Sequence, residues 1–410
     1  MIHWQLGLIV WCLATGCTPA ASPPAPARPG VRPGIEVLLS DSLSLVAGRR
    51  VGLVTNQSGV DSHGVSDVER MREAGIRLTA LFSPEHGFRG AADPGETVGS
   101  TIDSATGLPI YSLYGRNSAP TDTMLAGVEV MVVDLQDAGA RYYTYLWTAT
   151  GVMRAAARRG IPVILLDRPN PVGGAVEGNI LDTAFASPVG LIAVPIRHGL
   201  TLGELALLAR SDFGISVNLT VVPVSGWNRS AAYDQTGLPF IPPSPNLRSL
   251  EALYHYPGVC LFEATALSVG RGSDAPFEQI GAPWLDTTLV LALLRKAKLP
   301  GVGFTSTTFT PRKPGDGKYA DTLLAGIRLH VTDRAAYSPT LTAVTLLTLL
   351  LRMEPSRLGW ADARFDRLAG GSELRRSIEA GESAGAIVAG WQPGIQRYLE
   401  RRRPFLLYPP

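Results

Sequence analysis

Cysteine is scarce in this chain, which has 3 cysteines among its 410 residues. Two of them, Cys12 and Cys17, lie near the N-terminus, so removal of a leader would leave only Cys17 and Cys260. If Cys17 is acylated, no disulfide can form, and Cys260 is expected to be a small, buried, apolar side chain. A metal site built from a cluster of cysteines is excluded, because such a site needs several thiolates.

Two glycine motifs that mark nucleotide sites are also missing. The loop after the first predicted strand, TNQSGVDSHG at residues 55–64, has no G-x-G-x-x-G spacing. The P-loop pattern G-x-x-x-x-G-K-[ST] is absent from the whole chain. Both hydride transfer with a dinucleotide and a P-loop nucleotide site are therefore disfavoured.

An excess of charge of either sign is lacking. The chain has 37 Lys and Arg against 35 Asp and Glu, which gives a net charge of +2. Because no basic stripe with interleaved aromatics stands out, nucleic acid is not an expected partner. Residues 341–353 are strongly apolar but too few to span a membrane, so they predict a buried helix.

The N-terminus has the pattern of an export signal. A short apolar run at residues 6–14 is followed by small residues and Cys17, as in the lipobox of bacterial lipoproteins. Residues 1–17 are therefore predicted to be a signal peptide with Cys17 as the lipidated residue, and a plain secretory signal is the alternative. The Pro/Ala-rich residues 18–35 predict an extended tether. We expect an exported protein, lipid-anchored in the cell envelope and facing the periplasm if the cell is Gram-negative.

Strand-like apolar segments alternate with helical segments from residue 36 onward. Segments with near-continuous apolar content, such as residues 128–134 and 161–166, are typical of a parallel sheet that helices cover on both faces. Thr201 and Glu204 have the spacing of a capping box at the start of one of these helices. The pattern changes at residues 241–258, which are Pro-rich and then irregular, and a single helix is predicted at residues 383–401. We therefore predict an α/β protein with a parallel-sheet domain at residues 36–243 and a smaller α+β domain at residues 244–410.

Polar side chains follow five of the predicted strands. Ligands bind open parallel sheets at the carboxyl ends of their strands, so these side chains are expected at a working edge. Turns are polar in any case, but they do not require Glu, His, Arg or Gln. The candidates are Asn56, Gln57, Glu85, His86, Asp134, Gln136, Asp137, Asp167, Arg168, Asn170, Arg197 and His198.

Two mechanisms fit a carboxylate-rich edge of this kind. One is acid/base catalysis by carboxylates. The other is a divalent metal held by carboxylates and imidazoles, for which the candidates are Asp134, Asp137, Asp167, His86 and His198.

Several longer motifs resemble the bacterial exo-β-N-acetylmuramidases, glycosidases that remove N-acetylmuramic acid from the non-reducing ends of peptidoglycan fragments. The resemblance covers about residues 36–410 and implies a Rossmann-like N-terminal domain without nucleotide, a smaller C-terminal domain and a cleft between them. It also implies no metal or organic cofactor, and a muropeptide or amino-sugar disaccharide as substrate. The motifs are SPEHGFRG (83–90), YSLYG (111–115), VVDLQDAGARYYTY (132–145), DRPNPVGG (167–174), PIRHGLTLGELA (195–206), PSPNLRS (243–249) and LFEATALSVGRGSDAPFEQIGAPW (261–284).

Glu85 is the leading catalytic candidate that this resemblance implies. Glycoside cleavage needs an acid to protonate the leaving oxygen, and an acid beside an apolar wall such as Phe88 suits that role. His86 either orients a partner or caps the loop. The second group is open among Glu263, Asp134, Asp137, Glu278 and the substrate's own N-acetyl group. A non-catalytic cell-wall-binding lipoprotein is an alternative from another functional class.

Substrate contacts are expected from arginines and tyrosines. The lactyl carboxylate of muramic acid suits a planar guanidinium, for which the candidates are Arg141, Arg168, Arg197 and Arg271. Tyr142, Tyr143 and Tyr145 are candidates for stacking on sugar faces, whereas Trp147 is predicted to belong to the core.

Overall fold

The computed structural model describes Met1, residues 30–93 and residues 95–410. The predicted signal peptide, the lipidation site Cys17 and most of the predicted tether lie outside the described residues.

A seven-stranded sheet forms the centre of the N-terminal part, in the order β3-β4-β2-β1-β5-β6-β9. Neighbouring strands are parallel except for β3, which runs antiparallel to β4. The remaining two strands, β7 and β8, pair with each other in a separate antiparallel ribbon. The bounds are β1 Arg50–Thr55, β2 Arg77–Ser83, β3 Thr101–Ile102, β4 Pro109–Ser112, β5 Val130–Asp134, β6 Val163–Leu166, β7 Glu177–Ile180, β8 Pro195–Arg197 and β9 Leu219–Val222.

Helices cover both faces of this sheet, which confirms the predicted α/β class. Alternate residues of β5 enter different cores: Val132 packs in one hydrophobic cluster and Val133 in the other. A strand that is buried on both faces has no polar side to expose, which explains the continuous apolar runs in the sequence. The helices of this part are α1 Gly34–Asp41, α2 Asp67–Glu73, α3 Tyr145–Arg159 and α4 Leu202–Asp212.

Local signals set the ends of two of these helices. Thr201 and Glu204 form the expected capping box at the start of α4, each side chain bonding the other's backbone. Gly160 ends α3 with a φ of +64°, a left-handed conformation that glycine adopts at little cost.

The C-terminal part combines a three-stranded antiparallel sheet, in the order β10-β12-β11, with seven helices among the described residues. The sequence predicted a single helix at residues 383–401, but Trp391 separates α10 from α11. The bounds are α5 Leu250–Val259, β10 Gln279–Ala282, α6 Thr287–Ala297, β11 Val302–Phe309, β12 Leu324–Val331, α7 Pro339–Met353, α8 Asp362–Ala369, α9 Glu373–Glu379, α10 Ala384–Gly390 and α11 Gln392–Arg402.

Residues 241–258 were predicted to be Pro-rich and then irregular, and the second half of that prediction is wrong. Residues 250–259 form the buried helix α5, whose N-terminus Ser249 caps. Pro257 lies inside its last turn, near the helix end, and a Pro there costs less than one at the centre. Helix α7 is buried as expected, and among the described residues no helix has the length and apolarity needed to cross a bilayer.

The chain's last residues return to the N-terminal sheet. The hydroxyl of Tyr408 donates to Oδ2 of Asp167 at 2.5 Å, just beyond the end of β6. The backbone N–H of Leu407 donates to the buried carboxylate of Glu204 at 2.7 Å. These contacts tie the C-terminal segment to the edge of the sheet at which the candidate site lies.

Candidate active site

A cavity of about 130 Å³ lies at the carboxyl edge of the sheet, where the two parts of the chain meet. The N-terminal part contributes Glu85, His86 and Thr144 to its wall, and the C-terminal part contributes Glu263 and Arg271. Aromatic side chains fill much of the remaining wall, namely Tyr114, Tyr142, Tyr143, Tyr256 and Phe277.

Glu85 lies two residues after the end of β2, in the loop that the sheet presents at this edge. Only 8% of the residue is exposed, and both of its carboxylate oxygens accept hydrogen bonds. Oε1 accepts from the backbone N–H of Gly95 at 3.0 Å, and Oε2 accepts from the hydroxyl of Thr144 at 2.6 Å. Burial and the nearby Glu85 charge raise the pKa of Tyr114 to about 12, so this phenol remains protonated.

His86 has a φ of +72°, an uncommon conformation for a residue with a side chain. Its Nδ1 lies 2.9 Å from the carbonyl oxygen of Ala92, and because a carbonyl can only accept, Nδ1 carries the hydrogen. Burial lowers the pKa of the imidazole despite the neighbouring Glu85 carboxylate. A neutral His86 therefore fastens its own loop through Nδ1 and has a lone pair on Nε2.

Glu263 lies in a short 3-10 helix, Cys260–Ala264, that continues from α5. Its Oε1 accepts from both Nε and a terminal nitrogen of Arg271, each at 2.5 Å. The ammonium of Lys318 secures the same segment, because it donates to the carbonyl oxygens of Phe262, Glu263 and Leu267 at 3.3, 3.0 and 2.8 Å. Burial lowers the pKa of Lys318 to about 8.

The guanidinium of Arg271 has one edge bonded to Glu263 and one edge without a hydrogen-bond partner among the described residues. Its guanidinium lies over the ring of Phe277, with the central carbon 5.0 Å from the ring centroid. Burial opposes its positive charge, but the charge and hydrogen bonds of Glu263 raise its pKa on balance. The terminal nitrogen NH1 is buried and has no hydrogen-bond partner among the described residues. Such an unpaired donor is costly, and a ligand oxygen would satisfy it.

Two tyrosines of the cavity wall are held by backbone carbonyls. Tyr142 donates to the carbonyl of Pro257, and Tyr143 donates to that of Pro243. Tyr256 meets both of their rings edge-on. Tyr145 is not part of the wall; its hydroxyl accepts from Asn56 and donates to Pro243. Trp147 packs against the main hydrophobic cluster.

Asp134 and Arg168 lie outside the cavity and neutralise each other. Nε of Arg168 donates to Oδ1 of Asp134 at 2.5 Å, and NH2 donates to Oδ2 at 2.9 Å. NH2 also donates to the carbonyl of Val60. Both side chains are buried, so the pair joins the ends of β5 and β6 to the loop after β1.

Four further candidates brace neighbouring loops outside the cavity. Asp137 accepts from the N–H of Gly139 at 2.7 Å and lies 3.5 Å from Nε2 of His198. The amide of Gln136 donates to the carbonyls of Asp137 and Pro169. That of Asn170 donates to the carbonyl of Leu200.

Arg141 and Arg197 are also committed to protein groups. Arg141 donates to four backbone carbonyls, and burial lowers its pKa to about 10. Arg197 pairs with Glu177 at 2.9 Å and donates to the carbonyl of Val172. Neither arginine lines the cavity that contains Glu85.

Asn56 and Gln57 line a second hollow of about 600 Å³, together with Phe88 and Arg89. Phe88 was expected to form an apolar wall for Glu85, but it packs against a different hydrophobic cluster, beneath the sheet's other face. His86 and Gly87 both have positive φ values and turn the chain between Glu85 and Phe88. The side chains of Glu85 and Phe88 therefore line different hollows.

The five residues considered for a metal do not form one cluster. Asp167 bonds Thr201 and Tyr408, Asp134 bonds Arg168, and His86 lies at the cavity. Within residues 30–93 and 95–410, the one group of metal-ligating side chains close enough to share an ion is Glu36, Asp61 and His63. None of these three is among the five.

Three residues of the site carry no clear signal in the sequence. Thr144 and Tyr114 lie within quoted motifs but were not assigned a role, and Lys318 lies in a long loop far along the chain.

Residues 381–385 have the G-x-S-x-G spacing of a nucleophile elbow, but they do not form one. Ser383 caps the exposed start of α10 instead, and no strand precedes it.

Known proteins resemble this chain over most of its length. Residues 51–251 match the family described as exo-beta-N-acetylmuramidase NamZ, N-terminal, and residues 254–408 match its C-terminal counterpart. The peptidoglycan beta-N-acetylmuramidase NamZ of Bacillus subtilis (strain 168) is 41% identical over 398 residues, covering 96% of this chain and 95% of that protein.

Two solved structures have the same fold, both of DUF1343 family proteins from Bacteroides fragilis. One superposes with a TM-score of 0.85 at 33% identity, covering 92% of this chain and 99% of the other. The second gives a TM-score of 0.77 at 32% identity, with the same coverage.

Proposed function

The chain belongs to the exo-β-N-acetylmuramidase NamZ family of glycoside hydrolases, and from that premise we propose that it releases N-acetylmuramic acid from the non-reducing ends of peptidoglycan fragments. One structural observation supports this activity at the level of individual residues. Two carboxylic side chains from different parts of the chain, Glu85 and Glu263, line the same cavity. Glycoside cleavage by the usual route uses two such groups on either side of the scissile bond.

Glu85 is the general acid in this proposal. It protonates the glycosidic oxygen as the bond to the sugar's anomeric carbon breaks, so that the leaving sugar departs as a neutral alcohol. Thr144 and the N–H of Gly95 hold the two oxygens of Glu85 in place, which fixes the direction of proton transfer. The pocket's aromatic walls exclude bulk water from this step.

Glu263 is the second carboxylate in this proposal. Arg271 binds its Oε1, whereas among the described residues Oε2 has only a long contact of 3.9 Å, to the Cys260 sulfur. Oε2 is therefore available to act on the anomeric carbon or on an attacking water. Participation of the substrate's N-acetyl group is the other route to the same products. A Glu263→Gln variant tests the first route, since a normal rate without that carboxylate would exclude it.

The activity is tested with a disaccharide that carries N-acetylmuramic acid at its non-reducing end. Purified protein should release free N-acetylmuramic acid and leave the reducing-end sugar intact. A 4-nitrophenyl β-N-acetylmuramide gives the same test with a coloured product. Binding of the disaccharide without turnover would indicate a non-catalytic cell-wall protein. Loss of activity with a chelator would indicate the metal-dependent alternative.

Export and anchoring through Cys17 are also part of the proposed role. The apolar run at residues 6–14 and the small residues before Cys17 support it, because lipoprotein signals have this form. Metabolic labelling with a fatty acid should mark the wild-type chain in cells. Cys17→Ser should abolish the label; a labelled Cys17→Ser chain would contradict acylation at this residue.

A further inference from the structure

Arg271 differs from the other three arginines that the sequence singled out. Arg168 is paired on two nitrogens with Asp134, Arg197 is paired with Glu177, and Arg141 is surrounded by carbonyls. Among the described residues that line the Glu85 cavity, only Arg271 carries a fixed positive charge. Of the four arginines, Arg271 is the one that lines the same cavity as Glu85 and Glu263.

The two edges of the Arg271 guanidinium differ in their hydrogen-bond partners. The edge that contains Nε faces Glu263, and both of its hydrogen bonds go to a single oxygen, Oε1. The opposite edge contains NH1, which has no partner among the described residues. Only 8% of Arg271 is exposed, and a buried donor of this kind is normally paired with an acceptor.

A carboxylate is the ligand group that matches such an edge. Its two oxygens have the spacing of the paired guanidinium N–H donors and the opposite charge. Glu263 already takes part of the positive charge of Arg271 through the Nε edge, and the NH1 edge has no acidic partner among the described residues. An incoming carboxylate therefore meets the one fixed positive charge in the cavity wall.

We propose that the free edge of Arg271 binds the lactyl carboxylate of N-acetylmuramic acid and thereby selects this sugar over N-acetylglucosamine. This inference rests on the proposed function, since it names the substrate group that the same cavity reads. The two sugars differ only in the lactyl ether, so one charge-recognising residue is enough to separate them. The stacking of Arg271 on Phe277 holds the guanidinium plane and limits its freedom to turn away.

Ligand binding tests this inference without requiring catalysis. Calorimetric titrations at neutral pH compare free N-acetylmuramic acid with its carboxamide, which has nearly the same shape but no charge. The wild-type protein should bind the acid about 10- to 100-fold more tightly, the range expected for a hydrogen-bonded charge. In Arg271→Gln the two ligands should bind within about twofold of each other. Arg271→Lys should give an intermediate preference, because it keeps the charge and loses the planar edge.

Two further variants separate recognition from disturbance of the cavity. Glu263→Gln should retain the preference for the acid, because Arg271 stays charged and gains a freer edge. Arg312→Gln is the matched control: its side chain is exposed, and its backbone bonds Gly272 in the turn that carries Arg271. It should bind both ligands as the wild type does.

Equal binding of acid and carboxamide by the wild-type protein, or no binding of either at millimolar concentration, would overturn the inference. So would a full preference for the acid in Arg271→Gln. Turnover of muramides without charge discrimination would refute the role of Arg271 and leave the proposed function intact. Charge discrimination without turnover would support the role of Arg271 and refute the proposed catalytic function.

Discussion

The hydroxyl of Thr144 donates to Oε2 of Glu85 at 2.6 Å, which links the residue before α3 to the loop that follows β2. The two residues are 59 positions apart in the sequence. Glu85 therefore does not depend on its own loop alone for its orientation. Thr144 is a positioning residue for the proposed acid, and it lies immediately before α3.

Replacement of Thr144 tests this link. Thr144→Val keeps the shape of the side chain but removes the donor, so kcat should fall about 3- to 10-fold, the value of one hydrogen bond. Thr144→Ser keeps a hydroxyl and should retain most of the activity. Steady-state kinetics on an aryl muramide measures both. Equal activity of the Val and Ser variants would show that the hydroxyl has no such role.

The second prediction concerns Lys318 and the segment that carries Glu263. Lys318→Met leaves three carbonyl oxygens without their donor, so kcat/KM should fall about 10-fold as Glu263 loses its fixed position. Lys313→Met is the matched control in the same loop, since Lys313 is exposed. It should change kcat/KM by less than about twofold. A similar loss in both variants would mean that general loosening of the loop, and not the Lys318 contacts, causes the effect.

The buried pair of Asp134 and Arg168 predicts a large loss of stability. Asp134→Asn leaves the Arg168 charge buried without a counter-charge, which should lower the free energy of unfolding by about 3–5 kcal/mol. Asp234→Asn breaks the exposed pair with Arg334 and should cost about 1 kcal/mol or less. Urea unfolding of the two variants measures the difference. Comparable losses would contradict the structural role assigned to Asp134.

Asp167 predicts a pH dependence of stability. Burial raises its pKa from 3.8 to about 7 in the folded protein. The folded state therefore keeps a proton that the unfolded chain has lost, and this stabilisation disappears as the pH rises through about 7. Between pH 5 and pH 8 the free energy of unfolding should fall by about 3 kcal/mol from this group.

The comparison of Asp167→Asn with the wild type isolates that contribution, because other groups titrate equally in both proteins. The variant should lose stability much less steeply between the two pH values. If both proteins follow the same pH curve in chemical unfolding, the carboxyl group of Asp167 does not titrate in this range.

Periodicity and helix signals were sufficient to predict the central strands of the sheet, because these are apolar on both faces and the helices between them have regular caps and stops. They missed β3 and β4, and the strand that ends at Arg197, expected at the same sheet edge, lies in the separate ribbon of β7 and β8. Helix α5 escaped prediction because Pro257 and the Pro-rich stretch before it read as irregular chain. Its burial against the C-terminal core outweighs those local preferences. The break at Trp391 between α10 and α11 was missed for a similar reason, since helix composition continues across it.

The candidate site was harder to predict than the fold. The rule that ligands bind at strand ends drew attention to Asp134, Gln136 and Arg168, all of which have polar partners elsewhere in the chain. Those partners are carbonyls and charges brought together by folding, and no local pattern reveals them. Contacts such as Thr144 with Glu85 arise in the same way. Arg271 was one of four arginine candidates until the structure distinguished their partners.

The central claim is that Glu85 transfers the proton that frees N-acetylmuramic acid. The most direct measurement compares the release of this sugar from a disaccharide by the wild type, Glu85→Gln and Glu278→Gln. Glu278 is a control of the same residue type that bonds Ser249 and Arg328 and does not line the cavity. With all three proteins folded, as judged by thermal unfolding, Glu85→Gln should lose at least about 100-fold in kcat and Glu278→Gln should retain most of it. Near-normal release by Glu85→Gln would contradict the account.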